Sequence, residues 1–466
     1  MDKKKINGEV FTPEKVINHM VKNNYLPHEM DYILEPGCGD GRFIIKVISQ
    51  IINYYESNDK IINQKISKIF GVELDNENYN TCITNIEEYL SQYSFINSRP
   101  NIINGDALLD LPNNIEWDFI IGNPPYVRIH NLPKQYLNIL QKKYSYLQNG
   151  MVDLYYGFFE LHKKLSKKGV LCFITPSSYL YNSSGKSLIK DLYQNRMFQK
   201  IEDFESMKIF SDASTYTCIT TLSRNNSHFN YKILDSQFNV KKDSEVDYSL
   251  TEFALSGIKQ NNKDGGVLFS TKYKVKTGFA TLADKVYVIK DYEEDDDLIR
   301  FQKNDIDYSI EKKLTKKCVK ASKFDGNFHL VIFPYKNING KNIPLTESEL
   351  IQNYPLGYDY LYDNKQRLLS RDKGKIEEDK WFLWGRTQCI NNTEGSKIII
   401  SPMFIDTPFT FVEEDVLVYS GYFIISDRLD DIFTERQFID NLKSISKPMA
   451  QGWKSIQKKI IDEVVI

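Results

Sequence analysis

From Ile33 to about Leu222, short apolar runs alternate with segments of helical periodicity, and this alternation constrains the chain more than any single residue does. Strands are expected at 32–34, 68–72, 101–104, 117–121, 169–175, 200–204 and 216–222. Between them Phe43, Ile44, Val47, Ile48, Ile51 and Ile52 recur at helical spacing, as do Leu154, Tyr155, Phe158, Phe159, Leu161 and Leu165. Such stripes are core faces. The expectation is an open α/β sheet, mostly parallel and covered by helices, which binds its ligand at the carboxyl ends of the strands.

The alternation stops after the polar stretch from Ser223 to Ser227, so a boundary is expected between Ser223 and Asp264. Two domains follow: an α/β domain over 1–245, and a mixed α and β domain over 260–466 that is rich in aromatics and short strands. At 466 residues the chain has length for both.

Six cysteines are scattered without a Cys-x-x-Cys pair, so neither a metal site nor a disulfide framework is expected. The start, Met1 to Asn7, leads into polar residues, and no apolar run approaches the length of a membrane span. A cytoplasmic protein with no membrane partner is expected. The net charge of −2 does not announce a nucleic-acid binder. It does not exclude one either, because phosphate contacts depend on local Lys/Arg clusters and the acidic run Glu293 to Asp297 offsets basic residues elsewhere.

The fourth expected strand runs into Asn123-Pro124-Pro125-Tyr126. Gly122 and two prolines force the chain out of the strand into a rigid turn. The Asn123 amide oxygen and the Pro124 carbonyl oxygen are two acceptors in fixed geometry. Aimed at one exocyclic amino group, they draw its lone pair out of conjugation, and the flat face of Tyr126 can stack on the ring that bears it. Transfer of a methyl group to an aromatic amine needs this arrangement.

Three other strand ends carry groups suited to a nucleoside. The first ends in Glu35-Pro36-Gly37-Cys38-Gly39-Asp40-Gly41, whose glycines admit close backbone approach. Its acid disfavours a pyrophosphate and suits a zwitterionic or cationic ligand. The second places Glu73 where a carboxylate accepts ribose hydroxyls. After the third, Asn104-Gly105-Asp106-Ala107 offers Asp106 to an adenine amino group.

In this order the motifs resemble those of the gamma-class amino-group DNA methyltransferases, the TaqI and Eco57I-like adenine enzymes. The likeness covers the first half closely and the second half more loosely. It implies a Rossmann-like, S-adenosylmethionine-dependent methyltransferase domain and a C-terminal target-recognition domain. It also implies roles. Thr12 and Pro13 pack against the methionine end of the cofactor, with Thr12 expected to cap the helix that follows. Glu35, Pro36, Gly37, Gly39 and Asp40 line that same end, Glu73 holds the ribose, Asp106 and Ala107 hold the adenine, and Asn123, Pro124, Pro125 and Tyr126 receive the target base. Phe210, in Lys208-Ile209-Phe210-Ser211, is the expected second aromatic on that base, with Tyr216 in reserve.

Asn123 at the head of the tetrapeptide favours adenine within the family, so the 6-amino group of a flipped-out adenine in duplex DNA is the expected target. Lys276 to Ile289 and Trp384-Gly385-Arg386 resemble the recognition domain. Lys272, Lys274, Lys276 and Arg386 are the expected DNA contacts, with Arg367 and Arg371 as further candidates. The expected enzyme acts alone or beside a separately encoded restriction endonuclease. Two alternatives share the motifs: an RNA base methyltransferase, and a catalytically silent DNA-binding module.

Overall fold

A computed structural model describes residues 11–56, 58–148, 150, 152–210, 215–248, 269–324, 326–374, 376–391, 394–426, 430, 433–462 and 464. The chain divides into two compact units, Met1–Ile258 and Lys259–Ile466.

The first unit is built on one sheet of nine strands: β1 (Ile33–Pro36), β2 (Ile69–Glu73), β3 (Asn101–Asn104), β4 (Trp117–Gly122), β5 (Leu165–Pro176), β6 (Phe198–Asp203), β7 (Thr217–Leu222), β8 (His228–Leu234) and β9 (Val240–Asp247). Their order is β3-β2-β1-β4-β5-β7-β6-β8-β9. The pairs from β3 through β5 are all parallel, while β7 runs antiparallel to both of its neighbours. The strand order reverses between β1 and β4. A crevice therefore opens at their carboxyl ends, where such sheets bind ligands.

Burial on both faces explains why these strands read as continuous apolar runs. Phe119 and Ile121 of β4, with Cys172 and Ile174 of β5, pack on one side against Val47, Ile48 and Ile51 of the helix Arg42–Tyr55. Trp117, Ile120, Leu171 and Phe173 face the other side, against Tyr155, Phe159 and Leu192. Both apolar stripes expected from the sequence are buried.

The seven expected strands are present, and two more follow them. β9 reads Val-Lys-Lys-Asp-Ser-Glu-Val-Asp and is mostly exposed. A charged edge strand protects the sheet from pairing with another chain and erases the apolar signal at the same time. β5 also begins earlier than expected, at Leu165 opposite Trp117, because the register with β4 shifts before Phe119 pairs with Val170.

In the second unit the strands form several small sheets. One joins Lys276–Thr277, Tyr422–Ile425, Lys397–Ile400 and Phe409–Val412, and another joins Val288–Ile289, His329–Ile332, Thr315–Lys320 and Leu417–Tyr419. With the helices Glu347–Asn353 and Pro355–Asp363, this is the mixed α and β composition expected. No helix among the described residues is long and apolar enough to cross a membrane.

Candidate active site

The turn after β1 is shaped by its backbone. Gly37 and Cys38 both donate to the Val72 carbonyl, at 2.8 and 3.0 Å, so the turn is fastened to β2 before the helix Arg42–Tyr55 begins. Gly41 has φ +83°, and a Cβ there would lie 2.9 Å from Cys82 Sγ. Glycine answers both demands. Glu73 completes the fastening, since Oε2 accepts the Gly39 N–H at 2.9 Å and Oε1 accepts the Asp75 N–H at 2.9 Å.

A cavity of about 400 Å³ opens over these strand ends. It gathers Thr12, Glu35, Gly37, Gly39, Asp40, Glu73, Asp106, Ala107, Asn123, Pro124 and Pro125 into one wall, from four strand ends and the segment before the first helix. Pro13 and Pro36 are the two expected cofactor residues outside the lining. Reading from the sequence missed Leu74, Leu132, Tyr136 and Phe158, which give the cavity its apolar side. Leu74, 70% exposed directly after Glu73, is part of this apolar side.

Thr12 corrects an expectation. The helix Glu14–Asn24 has Pro13 at its N-cap and no side-chain capping bond, so Thr12 does not cap it. Thr12 is instead buried and lines the cavity.

The cavity is acidic. Glu35, Asp40, Glu73, Asp75 and Asp106 line it against one guanidinium, that of Arg42, which is bound to Asp40 Oδ2 at 2.7 Å. Glu35 is 3% exposed, and its Oε2 meets no hydrogen-bond donor among the described residues. Burial first, and then nearby Cys82 and Asp40, push its carboxyl well above the usual range. A cation in the cavity would relieve all three influences. Pyrophosphate does not fit such a wall, whereas a sulfonium-bearing amino acid nucleoside does.

Tyr126 stands beside this cavity and not in its lining. Its hydroxyl reaches the Ile174 carbonyl at 3.4 Å and its half-buried ring meets Tyr155 edge-on, with centroids 6.3 Å apart. Burial holds the phenol well above its ordinary range. Phe210 corrects a second expectation, because it is 2% exposed and packs with Phe204, Ile209 and Ile219 in the core. An apolar ring beside other apolar residues is covered by them, and sequence alone did not separate that outcome from stacking on a base. Tyr216 is half-buried, and Ser211 lies outside the described residues.

In the second unit Lys272, Lys274 and Arg386 are exposed and Lys276 is half-buried. Arg371 is a third correction. It is buried and donates to four bonds on the carbonyls of Leu368, Thr281, Leu383 and Trp381, so it is a structural clasp and not a phosphate contact. Among the described residues no group of His, Cys, Asp and Glu is arranged to hold a metal ion.

Residues 41–210 match the family model described as the Eco57I restriction-modification methylase. Curated relatives include the type II restriction enzyme and methyltransferase RM.Eco57I of Escherichia coli, 26% identical over 90% of this chain and 52% of that protein. The type II methyltransferase M.HincII of Haemophilus influenzae is 26% identical over 79% of this chain and 68% of its own length. The chain thus spans about half of the first relative. Among solved structures, the type IIL restriction-modification enzyme MmeI in complex with DNA superposes with a TM-score of 0.59 at 12% identity, covering 97% of this chain and 64% of MmeI. The likeness to MmeI is one of fold. The matched methylase segment lies on the α/β frame of the first unit, whose cavity joins an acidic wall to an apolar side.

Proposed function

We propose that this chain, Eco57I-like over residues 41–210, is a site-specific DNA methyltransferase that moves a methyl group from S-adenosylmethionine to the 6-amino group of an adenine turned out of duplex DNA. The observation that carries the reading is that Asn123 and Pro124 line the same cavity as Glu35, Glu73 and Asp106. Acceptors for a target amine and groups for a nucleoside donor then share one wall.

When bound, S-adenosylmethionine supplies an activated methyl group on a sulfonium. The chain's own residues do the rest. Glu35 and Asp40 balance the positive methionine end, with Thr12 against it, while Glu73 takes the ribose hydroxyls and Asp106 with Ala107 takes the adenine edge. Asn123 and Pro124 accept from the target amino group, Pro125 stiffens the turn, and Tyr126 stacks on the base. Extruding the base costs a few kcal/mol, which stacking offsets. The unit over 260–466 holds the DNA, with Lys272, Lys274, Lys276 and Arg386 as its basic contacts, and the enzyme acts in the cytoplasm, alone or beside a separately encoded restriction endonuclease.

The test is transfer of label from S-adenosylmethionine to unmethylated genomic DNA, followed by a nucleoside digest. Labelled 6-methyladenine is expected, and it is lost in Asn123→Ala while cofactor binding persists. Label in 5-position or 4-amino cytosine products, label in RNA alone, or no transfer by a cofactor-loaded protein would overturn the reading.

A further inference from the structure

Among the described residues two apolar side chains sit on backbone in the left-handed region, Phe238 at φ +65° and Leu282 at φ +59°. Such a conformation costs any residue with a Cβ, and glycine would avoid the cost. Phe238 is repaid locally, since its ring stacks on His19 at 4.3 Å and meets Phe204 at 5.6 Å. Leu282 is not. It is 42% exposed.

The loop around Leu282 is tied down by hydrogen bonds. Thr281 is fully buried, its hydroxyl donates to Asp284 Oδ1 at 2.6 Å and accepts the Ala283 N–H at 3.0 Å. Its carbonyl accepts from Arg371 Nη1 at 2.9 Å and from the Gly385 N–H at 3.3 Å. Leu282 lies across the bare backbone of Gly385, where an added Cβ would overlap its side chain, and presents the remainder to solvent. Strain held in place by surrounding structure, at an apolar side chain that still leaves 42% of its surface to solvent, points to another use.

The surroundings indicate which use. Leu282 shares a hollow of about 530 Å³ with Asp284, Lys285, Arg367 and Ser370. Arg386 is joined to Ala280 of the same hollow through paired backbone hydrogen bonds, at 2.9 and 3.3 Å. Two exposed cations of the hollow, Lys285 and Arg367, thus share it with one exposed carboxylate, Asp284, which already accepts from Thr281, and the exposed Arg386 follows on the segment bridged to Ala280.

We propose that Leu282 is an apolar wedge for duplex DNA, pressed into a base step while Lys285, Arg367 and Arg386 take the flanking phosphates. The inference rests on the DNA methyltransferase reading and deepens it. Cationic contacts supply affinity for the duplex, and burial of the leucine offsets the unstacking it causes. A side chain free to fold back would do this poorly, which accounts for the clasp on Thr281.

Leu282→Gly tests the wedge without endangering the fold, because glycine adopts this conformation freely; Leu282→Asn, polar and tolerant of the left-handed region, is the second variant. Once the site methylated by the wild-type protein has been mapped by sequencing, affinity is measured for duplexes carrying it, either fully paired or with a single mismatch placed at each successive step across it. Both variants are expected to keep the wild-type melting temperature and cofactor affinity and to bind the paired duplex about tenfold more weakly. On the duplex whose mismatch loosens the wedged step, they should fall within about twofold of wild type. Unchanged affinity for the paired duplex overturns the wedge, and so does an equal loss on every mismatched duplex. Those results leave the methyltransferase reading standing, whereas a wild-type protein that neither binds nor methylates DNA overturns both.

Discussion

The Tyr136 hydroxyl donates to Asp106 Oδ2 at 2.7 Å, while Asp106 Oδ1 accepts the Leu108 N–H at the same distance. Both oxygens of the carboxylate proposed to take the cofactor's adenine amino group are therefore engaged. Burial, and Asp106 itself, keep the Tyr136 phenol above its ordinary range, so it stays a donor. The cofactor must share or displace that bond. Since Leu108 already fixes the carboxylate, Tyr136→Phe should tighten S-adenosylmethionine binding about threefold, and Asp106→Asn should weaken it. Calorimetric titration decides; weaker binding by Tyr136→Phe would show the hydroxyl supporting the cofactor instead.

Glu35 ties stability to pH. Its carboxyl titrates above the ordinary 4.5 in the folded protein, so at low pH both states are protonated and no penalty arises. As pH rises past that value the unfolded chain ionises first, and folded stability is lost progressively until the raised folded value is passed. Each unit of separation corresponds to about 1.4 kcal/mol. Glu35→Gln should therefore be the more stable protein at neutral pH without cofactor. It should also lose cofactor affinity, because the amide carries no charge to meet a sulfonium. Denaturant melts at several pH values read the first effect; parallel curves for the two proteins would mean that Glu35 is not held neutral.

The strand ends were legible because their chemistry is local. Glu35, Glu73, Asp106 and Asn123 each follow an apolar run, and the parallel order β3-β2-β1-β4 brings four such ends to one crevice. Tyr136 and Phe158 were not legible as cavity residues, since their position depends on how the segment after the tetrapeptide folds back. Phe210 and Arg371 were misread for a related reason: whether a ring or a guanidinium faces ligand or core is decided by distant neighbours, Phe204 and Ile219 for one and the Thr281 and Trp381 carbonyls for the other.

Tyr126 separates ring from hydroxyl. Its hydrogen bond to Ile174 is long at 3.4 Å and worth little. If the ring stacks on the target base, Tyr126→Phe should keep turnover within about threefold of wild type, while Tyr126→Ala should lose about 100-fold. Cofactor binding should be untouched in both, as Tyr126 does not line that cavity. Single-turnover methylation rates are the readout, and an Ala variant as fast as wild type would remove Tyr126 from the site.

Arg386 and Lys274 are exposed and are proposed as phosphate contacts, so their loss should act on salt dependence. Replacing either by alanine should weaken DNA binding at every sequence and reduce the slope of log affinity against log salt by about 1. An unchanged slope would return that residue to the ordinary solvated surface.

Arg371 predicts the opposite pattern. Its guanidinium spans the carbonyls of Leu368, Thr281, Leu383 and Trp381 at 2.6 to 2.9 Å and lies over the Tyr287 ring at 5.6 Å. Arg371→Ala removes four charge-assisted hydrogen bonds at once, at about 3 kcal/mol or more. Lysine restores the charge but not the planar fork, so Arg371→Lys should recover only part of it. The loss should appear in the unfolding transition of the second unit, while S-adenosylmethionine binding to the first unit is preserved. DNA binding should then fail through disorder of the loop that presents Leu282, with proteolysis between Thr281 and Trp384 as its signature. A variant that melts like wild type yet binds DNA with a reduced salt slope would instead make Arg371 a phosphate contact.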